Sequence, residues 1–160
     1  MKVDTGKPEE AKDRLIHLDA KPEAITLDPA MTAVIVVDMQ NDFGSEGGMF
    51  DRAGIDISGI QKAVGSTLKI LAAARKMGIK IIYLKMGYKP DLSDLGAPNS
   101  VNRMRHLRLG VGEKITAPDG NESRILIRNT WNTASFLNSS RRQATISFTR
   151  HGLAGSLRPT

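Results

Sequence analysis

The feature that most constrains this chain is the run from Thr32 to Asp38, in which five consecutive apolar residues end at a carboxylate. Four of the five, Val34 to Val37, are β-branched. A continuous apolar run of this length, with no alternating polar residues, predicts a strand that is buried on both faces. Such strands belong to parallel sheets whose faces are covered by helices.

The residues after this strand predict a β-α-β unit. Between Ile57 and Arg75 apolar residues recur at helical spacing, and Gly78 follows as a helix stop signal. The run Ile79 to Leu84 then predicts a second strand. A strand, a helix and a second strand in this order predict parallel strands joined by a right-handed crossover, so the fold class is α/β.

The remaining segments divide the chain further. Residues 1–19 are rich in Lys, Glu and Asp and predict a mobile arm or a short helix. Residues 20–133 form the predicted domain. Within it, residues 87–112 are rich in Gly and Pro, with a possible short helix at 101–107, and a loop of this length suggests a lid. Residues 125–127 predict either a short strand or a hydrophobic plug.

Asp38 is a candidate catalytic residue because of its position. In open α/β sheets, ligands bind beyond the carboxyl ends of the strands, where Asp38 follows the first strand. A carboxylate there can position a nucleophile and exchange protons with it. An aspartate at a strand end can equally cap the following loop. Position alone leaves the two interpretations open.

A resemblance to a known family bears on this choice. Residues 36–43, Val-Val-Asp-Met-Gln-Asn-Asp-Phe, resemble the first-strand signature of the isochorismatase-like cysteine hydrolases. Residues 21–29 and 124–133 are similar to the ureidoacrylate amidohydrolase branch of that family. The resemblance implies an incomplete parallel-sheet, three-layer, Rossmann-like fold. It also implies a cytoplasmic enzyme that hydrolyses a carbamoyl or amide C–N bond in a small linear substrate such as ureidoacrylate, in pyrimidine degradation.

The same resemblance implies the roles of individual residues. The family uses an Asp on the first strand, a Lys on a later strand and a Cys at a helix N-terminus, and Asp38 matches the first of these. Gln40 is expected to give structural support. The expected substrate-binding residues, for which ordinary packing is the alternative, are Asn41, Phe43, Tyr88 and Trp131.

No metal or other cofactor is expected. Nicotinamidase-like members of the family bind a metal through an Asp-x-His arrangement and a further His, whereas His17, His106 and His151 are isolated in this sequence. A nicotinamidase-type or isochorismatase-type sibling stays open as an alternative. The expected partner is a small-molecule substrate, without nucleic acid or membrane, and intact relatives are expected to be homo-oligomeric.

The chain contains no cysteine, so it cannot supply the family's nucleophile. The family's lysine motif, Lys-x-Arg-Phe-Ser-Gly-Phe, is also missing after residue 133. Residues 134–160 instead hold four arginines and no Asp or Glu. The sequence therefore predicts an aberrant or disordered basic tail, a truncated domain and a catalytically incomplete chain.

The genetic code suggests an origin for this tail. Reading the third base of each codon with the first two of the next, synonymous choices can spell Glu-Leu-Lys-Pro-Glu-Ala-Gly-Asp across residues 137–145. In the same frame, residues 149–156 can spell Lys-Thr-Arg-Phe-Ser-Gly-Phe. We therefore expect a frameshift near Ala134, through a pseudogene, a sequencing error or a misassigned gene.

The basic tail leaves one rival interpretation of another class. The tail supplies four of the six net positive charges, and the remainder of the chain is nearly balanced. A solvated tail is the simplest interpretation, because no aromatic residues for base stacking are interleaved with the arginines. The rival is a noncatalytic interaction protein that uses the sheet as a scaffold and this tail to bind an acidic partner or nucleic acid.

Overall fold

Three parallel strands form the central sheet of the computed structural model, which describes residues 15–137 and the backbone of 146–150. They are β3 (Ala33–Val37), β4 (Lys80–Met86) and β7 (Ile146–Arg150), in the spatial order β3-β4-β7. Each neighbouring pair is parallel, with Val36 opposite Tyr83. The predicted α/β class with a parallel sheet is confirmed.

The predicted crossover helix is α3 (Ser58–Lys76), and it joins β3 to β4. It ends as predicted at Gly78, whose φ of 68° lies in the left-handed region that glycine adopts without steric cost. There the Gly78 N–H donates to the Arg75 carbonyl (3.2 Å) and the Ile79 N–H to the Ala74 carbonyl (2.9 Å). This pair of bonds is a Schellman motif, which satisfies the last carbonyls of the helix and turns the chain into β4.

Helix α3 covers one face of the sheet. Its buried residues Leu71 and Ala74 pack in one apolar cluster with Val36, Ile81 and Tyr83. The opposite face differs from the prediction, because Ile35 is 56% exposed and Val37 is 47% exposed. The expectation that the first strand is buried on both faces is therefore wrong for this structure. Side chains alternate along a strand, and α3 reaches only the face that carries Val36.

The N-terminal part of the described chain is also different from the prediction. Residues around Ile16 were expected in a mobile arm or short helix, but β1 (Ile16–Leu18) is a strand. It pairs antiparallel with β2 (Ile25–Leu27). Cross-strand pairing with a partner nine residues away overrides the weak helical pattern of the isolated segment.

The loop segments contain more regular structure than the sequence predicts. The segment after β3 holds two short helices, α1 (Asn41–Gly44) and α2 (Met49–Arg52). The predicted short helix in the long loop is α4 (Val101–Arg108). A hairpin of β5 (Lys114–Thr116) and β6 (Glu122–Arg124) follows. No helix among the described residues is long and apolar enough to cross a membrane.

Residues 125–127 form a hydrophobic plug rather than a strand. Leu126 is fully buried, with φ of 52°, and its two neighbours are almost fully buried. All three pack in a second apolar cluster whose other members include Met49, Tyr88 and Leu95. Met49 belongs to the segment after β3, and Tyr88 and Leu95 belong to the loop after β4, so the plug packs against both of these segments.

The predicted tail, residues 134–160, falls mostly outside the described residues. Among its described residues, Leu137 is buried in the apolar cluster that contains Leu71 and Ala74 of α3, and Ser135 forms a β-bridge with Gln40. Strand β7 lies where the sequence predicts no regular element. The packed core of the described residues therefore includes Leu137, while the domain boundary at residue 133 and the nature of the tail stay predictions.

Gly48, which precedes α2, tests how tightly the loop after β3 is packed. A Cβ atom at Gly48 would lie 2.2 Å from the Asn41 carbonyl oxygen and 3.0 Å from the Asp42 Cα. Backbone atoms cannot rotate away, so we expect Gly48→Ala to lower the free energy of unfolding by about 1–3 kcal/mol. The measurement is a urea denaturation curve.

Gly65 in α3 is the matched control for that substitution. A Cβ there would meet no atom within 4 Å, so Gly65→Ala should stabilise the protein by about 0.5–1 kcal/mol through helix propensity. Equal denaturation midpoints for Gly48→Ala and the wild type would show that the loop backbone at Asn41 moves freely.

Candidate active site

Asp38 directly follows β3. It therefore lies at the carboxyl edge of the sheet, where the C-terminal ends of the parallel strands meet. Its N–H donates to the Leu84 carbonyl of β4 (2.9 Å), so the pairing of the two strands continues to this residue. Its φ is 55°, in the left-handed region, and its carbonyl accepts from the Gln40 N–H (2.8 Å). A non-glycine residue in this conformation costs on the order of 1 kcal/mol, and such residues cluster at functional sites.

Gln40 joins the ends of the neighbouring strands β3 and β4. Its side-chain amide donates to the Met86 carbonyl (2.7 Å), and its side-chain oxygen accepts from the Met86 N–H (2.6 Å). The side chain is fully buried. By donating one N–H and accepting at its oxygen, the side-chain amide bonds to the Met86 backbone as a residue of a neighbouring strand would. Gln40 thereby fixes the loop after β3 against the last residue of β4.

Asn41 connects the same loop to the segment that contains Trp131. Its side-chain amide donates to the Trp131 carbonyl (2.7 Å), and its side-chain oxygen accepts from the Ser45 hydroxyl (2.9 Å). The Asn41 N–H donates to the Ala134 carbonyl (2.9 Å). Both ends of the amide are therefore used within the protein, and the 131–134 segment is held beside the loop.

Asp42 is the most densely hydrogen-bonded side chain of the site. Its carboxylate accepts from the N–H groups of Met49 (3.0 Å) and Leu126 (2.6 Å) and from the Asn132 side chain (2.5 Å). Asn132 in turn accepts from the Ser123 hydroxyl. Burial raises the pKa of Asp42, and the hydrogen bonds from Asn132, Leu126 and Met49 lower it in part.

Arg128 bonds to two residues of the loop after β4. It forms an ion pair with Asp94 (2.5 Å), and its Nε donates to the Gly87 carbonyl (3.2 Å). The Asp94 carboxylate also accepts from the Lys89 N–H. These contacts hold the loop after β4 against the segment that follows the plug. Both partners are largely buried, so the pair is less screened than one on the surface.

A small cavity opens at this edge, between β4 and the plug segment. Its volume is about 20 Å³, which is room for one water molecule. Asn129, on its wall, has φ of 62°, a second left-handed residue at the same edge. The cavity is lined by Lys85, Met86, Gly87, Arg128, Asn129 and Thr133.

The structure places the predicted aromatic residues in two groups. Phe43 stacks edge to face on Phe50, with ring centroids 5.0 Å apart, and packs against the cluster that contains Tyr88. Tyr88 is fully buried, and its hydroxyl lies 3.4 Å from His106 Nε2. Trp131 is half-buried and contacts Asn41 through its carbonyl. The substrate-binding roles of Asn41, Phe43, Tyr88 and Trp131 stay predictions.

Three polar residues of this region were not selected from the sequence. Asp42 stands inside the recognised first-strand motif, and Asn132 stands inside the downstream motif. Their direct contact could have been suggested by those two motifs together. Arg128 also stands inside the downstream motif, but its partner Asp94 lies 34 residues away in a loop that carries no motif, so their contact had no signal in the sequence. In the part of the chain that the structure describes, no three His, Asp or Glu residues converge as metal ligands.

Comparison with known proteins gives one family. Residues 32–138 match the isochorismatase domain. The ureidoacrylate amidohydrolase RutB of Agrobacterium fabrum is 41% identical over 117 residues, which are 73% of this chain and 50% of that protein. The RutB proteins of Rhizobium rhizogenes and Methylobacterium radiotolerans are each 38% identical, over 77% and 74% of this chain.

The matched region contains every element described at the carboxyl edge of β3 and β4, from Asp38 to Thr133. The chain spans about half the length of the curated relatives it matches. Taken with the parallel sheet and the first-strand motif, the match shows that this chain belongs to the isochorismatase family of hydrolases.

Proposed function

We propose that Asp38 is the proton-transferring carboxylate of a hydrolase that cleaves a carbamoyl or amide C–N bond in a small linear substrate such as ureidoacrylate. The observation that carries the proposal is the position of Asp38, in a left-handed conformation at the carboxyl end of β3. The similarity to RutB proteins supports the substrate class. We further propose that the 160-residue chain alone is inactive.

The chemistry explains why this chain would be inactive. In the proposed reaction a cysteine thiol loses its proton to Asp38 and attacks the carbonyl carbon, and the amine leaves with that proton. Water then hydrolyses the resulting thioester, which for ureidoacrylate is an S-carbamoylcysteine thiocarbamate, and the thiol is regenerated. The carbamic acid released from ureidoacrylate breaks down to ammonia and carbon dioxide. This chain has no cysteine, so the first bond cannot form. Asp38 would be a proton carrier without a nucleophile.

The frameshift that we propose for residues 134–160 has a consequence at the position of strand β7. It pairs with β4 so that Arg150 lies opposite Met86, at the carboxyl end of both strands. In the shifted frame, a lysine codon falls across residues 149 and 150. A lysine at that point of the strand would lie at the same edge of the sheet as Asp38, since the carboxyl ends of parallel strands meet there.

The genomic sequence and an activity assay test this proposal together. The DNA is expected to contain the shifted frame, with a lysine codon at residue 149 or 150 and a cysteine codon downstream. Protein translated in that frame should release ammonia from ureidoacrylate, whereas the 160-residue chain should release none. A stop codon early in the shifted frame would refute the frameshift. Turnover by the 160-residue chain would refute its inactivity.

A further inference from the structure

We propose that the outer face of helix α4 binds an acidic amphipathic helix of another protein. Three large apolar side chains of α4 are exposed: Val101 by 59%, Met104 by 45% and Leu107 by 44%. Each follows the one before it by one helical turn, so they form a stripe along one side of the helix. A surface helix normally buries such a stripe and exposes its polar residues. Helix α4 has the reverse arrangement, which marks its outer face as an interaction surface.

The side of α4 that faces the rest of the protein is polar. Asn102, Arg103 and His106 are half-buried, and no residue of the helix is buried. The Asn102 side-chain amide donates to the Leu95 carbonyl (3.3 Å), and Arg103 Nη1 donates to the Gly96 carbonyl (3.4 Å). These hydrogen bonds tie α4 to the loop that precedes it. They fix which side of the helix faces inward without using the apolar stripe.

The ends of α4 and its aromatic contact also leave the stripe unused. The Ser100 side chain caps the helix by accepting from the Arg103 N–H (3.2 Å). The His106 ring lies edge to face on the buried Tyr88 ring, with centroids 5.4 Å apart. Leu109, directly after the helix, packs against the cluster that contains the plug. Because these contacts hold α4 in place, substitutions in the exposed stripe should leave the fold intact.

Two arginines share the outer face with the stripe. Arg105 lies one turn after Val101, and Arg108 lies one turn after Met104, so each is on the same side as its apolar neighbour. Within residues 15–137, neither guanidinium forms an ion pair or a side-chain hydrogen bond. Helix α4 itself contains no Asp or Glu. Apolar area with unbalanced positive charge is complementary to apolar residues that are bordered by carboxylates.

The shape and charge of this face favour a helix of another protein. The backbone groups of α4 are bonded within the helix, so an added strand could not pair with it, whereas a second helix can pack its side chains between those of the stripe. A second copy of this chain fits poorly, because two-fold pairing would bring Arg105 and Arg108 of both copies together. No residue of the face lines the small cavity at the carboxyl edge, so the proposal does not depend on Asp38 or on the proposed hydrolysis.

The test is calorimetric titration of the 160-residue chain with a synthetic helix of about 20 residues, with leucines on one face and glutamates along both borders of that face. A control peptide has glutamine in place of every glutamate. We expect saturable binding of the glutamate peptide, at least tenfold weaker binding of the glutamine peptide, and weaker binding of the glutamate peptide in about 0.5 M NaCl. Met104→Gln with Leu107→Gln, and separately Arg105→Gln with Arg108→Gln, should each weaken binding of the glutamate peptide at least tenfold.

Lys69→Gln combined with Ile70→Gln is the matched control, because it replaces an exposed cation and an exposed apolar residue of α3. It should leave peptide binding unchanged, and thermal unfolding of each variant shows that the fold is kept. Equal binding by the Met104–Leu107 variant and this control would overturn the proposal, and so would equal binding of the two peptides by the wild type. Two further results would overturn it in favour of another occupant. Self-association in sedimentation that the Met104–Leu107 variant loses would assign the face to a second copy, and binding of phosphatidylglycerol vesicles without binding of the peptide would assign it to a membrane.

Discussion

Replacement of Asp42 by alanine is expected to lower the free energy of unfolding by about 3–5 kcal/mol. The substitution leaves the buried N–H groups of Met49 and Leu126 and the Asn132 amide without an acceptor. Each unsatisfied buried donor costs about 1–3 kcal/mol, and the lost carboxylate also leaves a small cavity. The measurement is chemical denaturation followed by far-ultraviolet circular dichroism.

Asp51→Ala is the control for this substitution. Asp51 is exposed, and within residues 15–137 its carboxylate accepts from the Gly47 N–H alone, so its loss should cost about 1 kcal/mol or less. If Asp42→Ala is too unstable for a denaturation curve, Asn132→Ala removes one of the three donors and should have an intermediate effect. Equal stabilities of the Asp42 and Asp51 variants would contradict the role of Asp42 as the central acceptor.

The same residue gives a pH dependence with a defined sign. The pKa of Asp42 is raised in the folded state by burial, so the folded protein binds its proton more tightly than the unfolded chain. Unfolding then releases a proton at pH values between the ordinary carboxyl pKa and the raised one. Across that interval, the stability of the wild type relative to Asp42→Asn should fall as pH rises. If the stability of the wild type relative to Asp42→Asn rose with pH over this interval, the raised pKa of Asp42 would be contradicted.

The central β-α-β unit could be predicted from the sequence because its signals are local. The β-branched run of β3, the helical spacing of α3 and the stop at Gly78 each act within a few residues. The exposed face of β3 could not be predicted in the same way. The apolar run shows that Ile35 and Val37 suit a buried face, but not whether another element covers that face in this chain.

Local signals predict only the first residue of the candidate site, whereas Gln40 and Asn41 were named through the family motif. Asp38 could be found because it ends a hydrophobic strand, whereas Asp42 depends on donors 84 and 90 residues away. Such contacts have no signal in local periodicity, since they exist only after the plug and the Trp131 segment fold onto the loop after β3. The pair of Arg128 and Asp94 was missed for the same reason.

Asp38→Asn is expected to reduce kcat by about 10²–10⁴-fold in the protein translated through the shifted frame. Asparagine keeps the size of the side chain and, like aspartate, tolerates the left-handed φ of 55°. The backbone bonds of residue 38 to Leu84 and Gln40 do not involve the side chain. The substitution therefore removes the proton acceptor while preserving the edge of the sheet, so KM for ureidoacrylate should change little.

The matched control is Asp56→Asn, which alters an exposed carboxylate that accepts from Ser58 at the start of α3. Its kcat should equal that of the unsubstituted protein, and both variants should unfold at similar temperatures. Cysteine reactivity also separates a proton-accepting Asp38 from one that only caps the loop. If Asp38 accepts the thiol proton, Asp38→Asn should slow alkylation of the cysteine at neutral pH. If Asp38→Asn keeps kcat within about fivefold of the control, Asp38 only caps the loop after β3, the alternative its position left open.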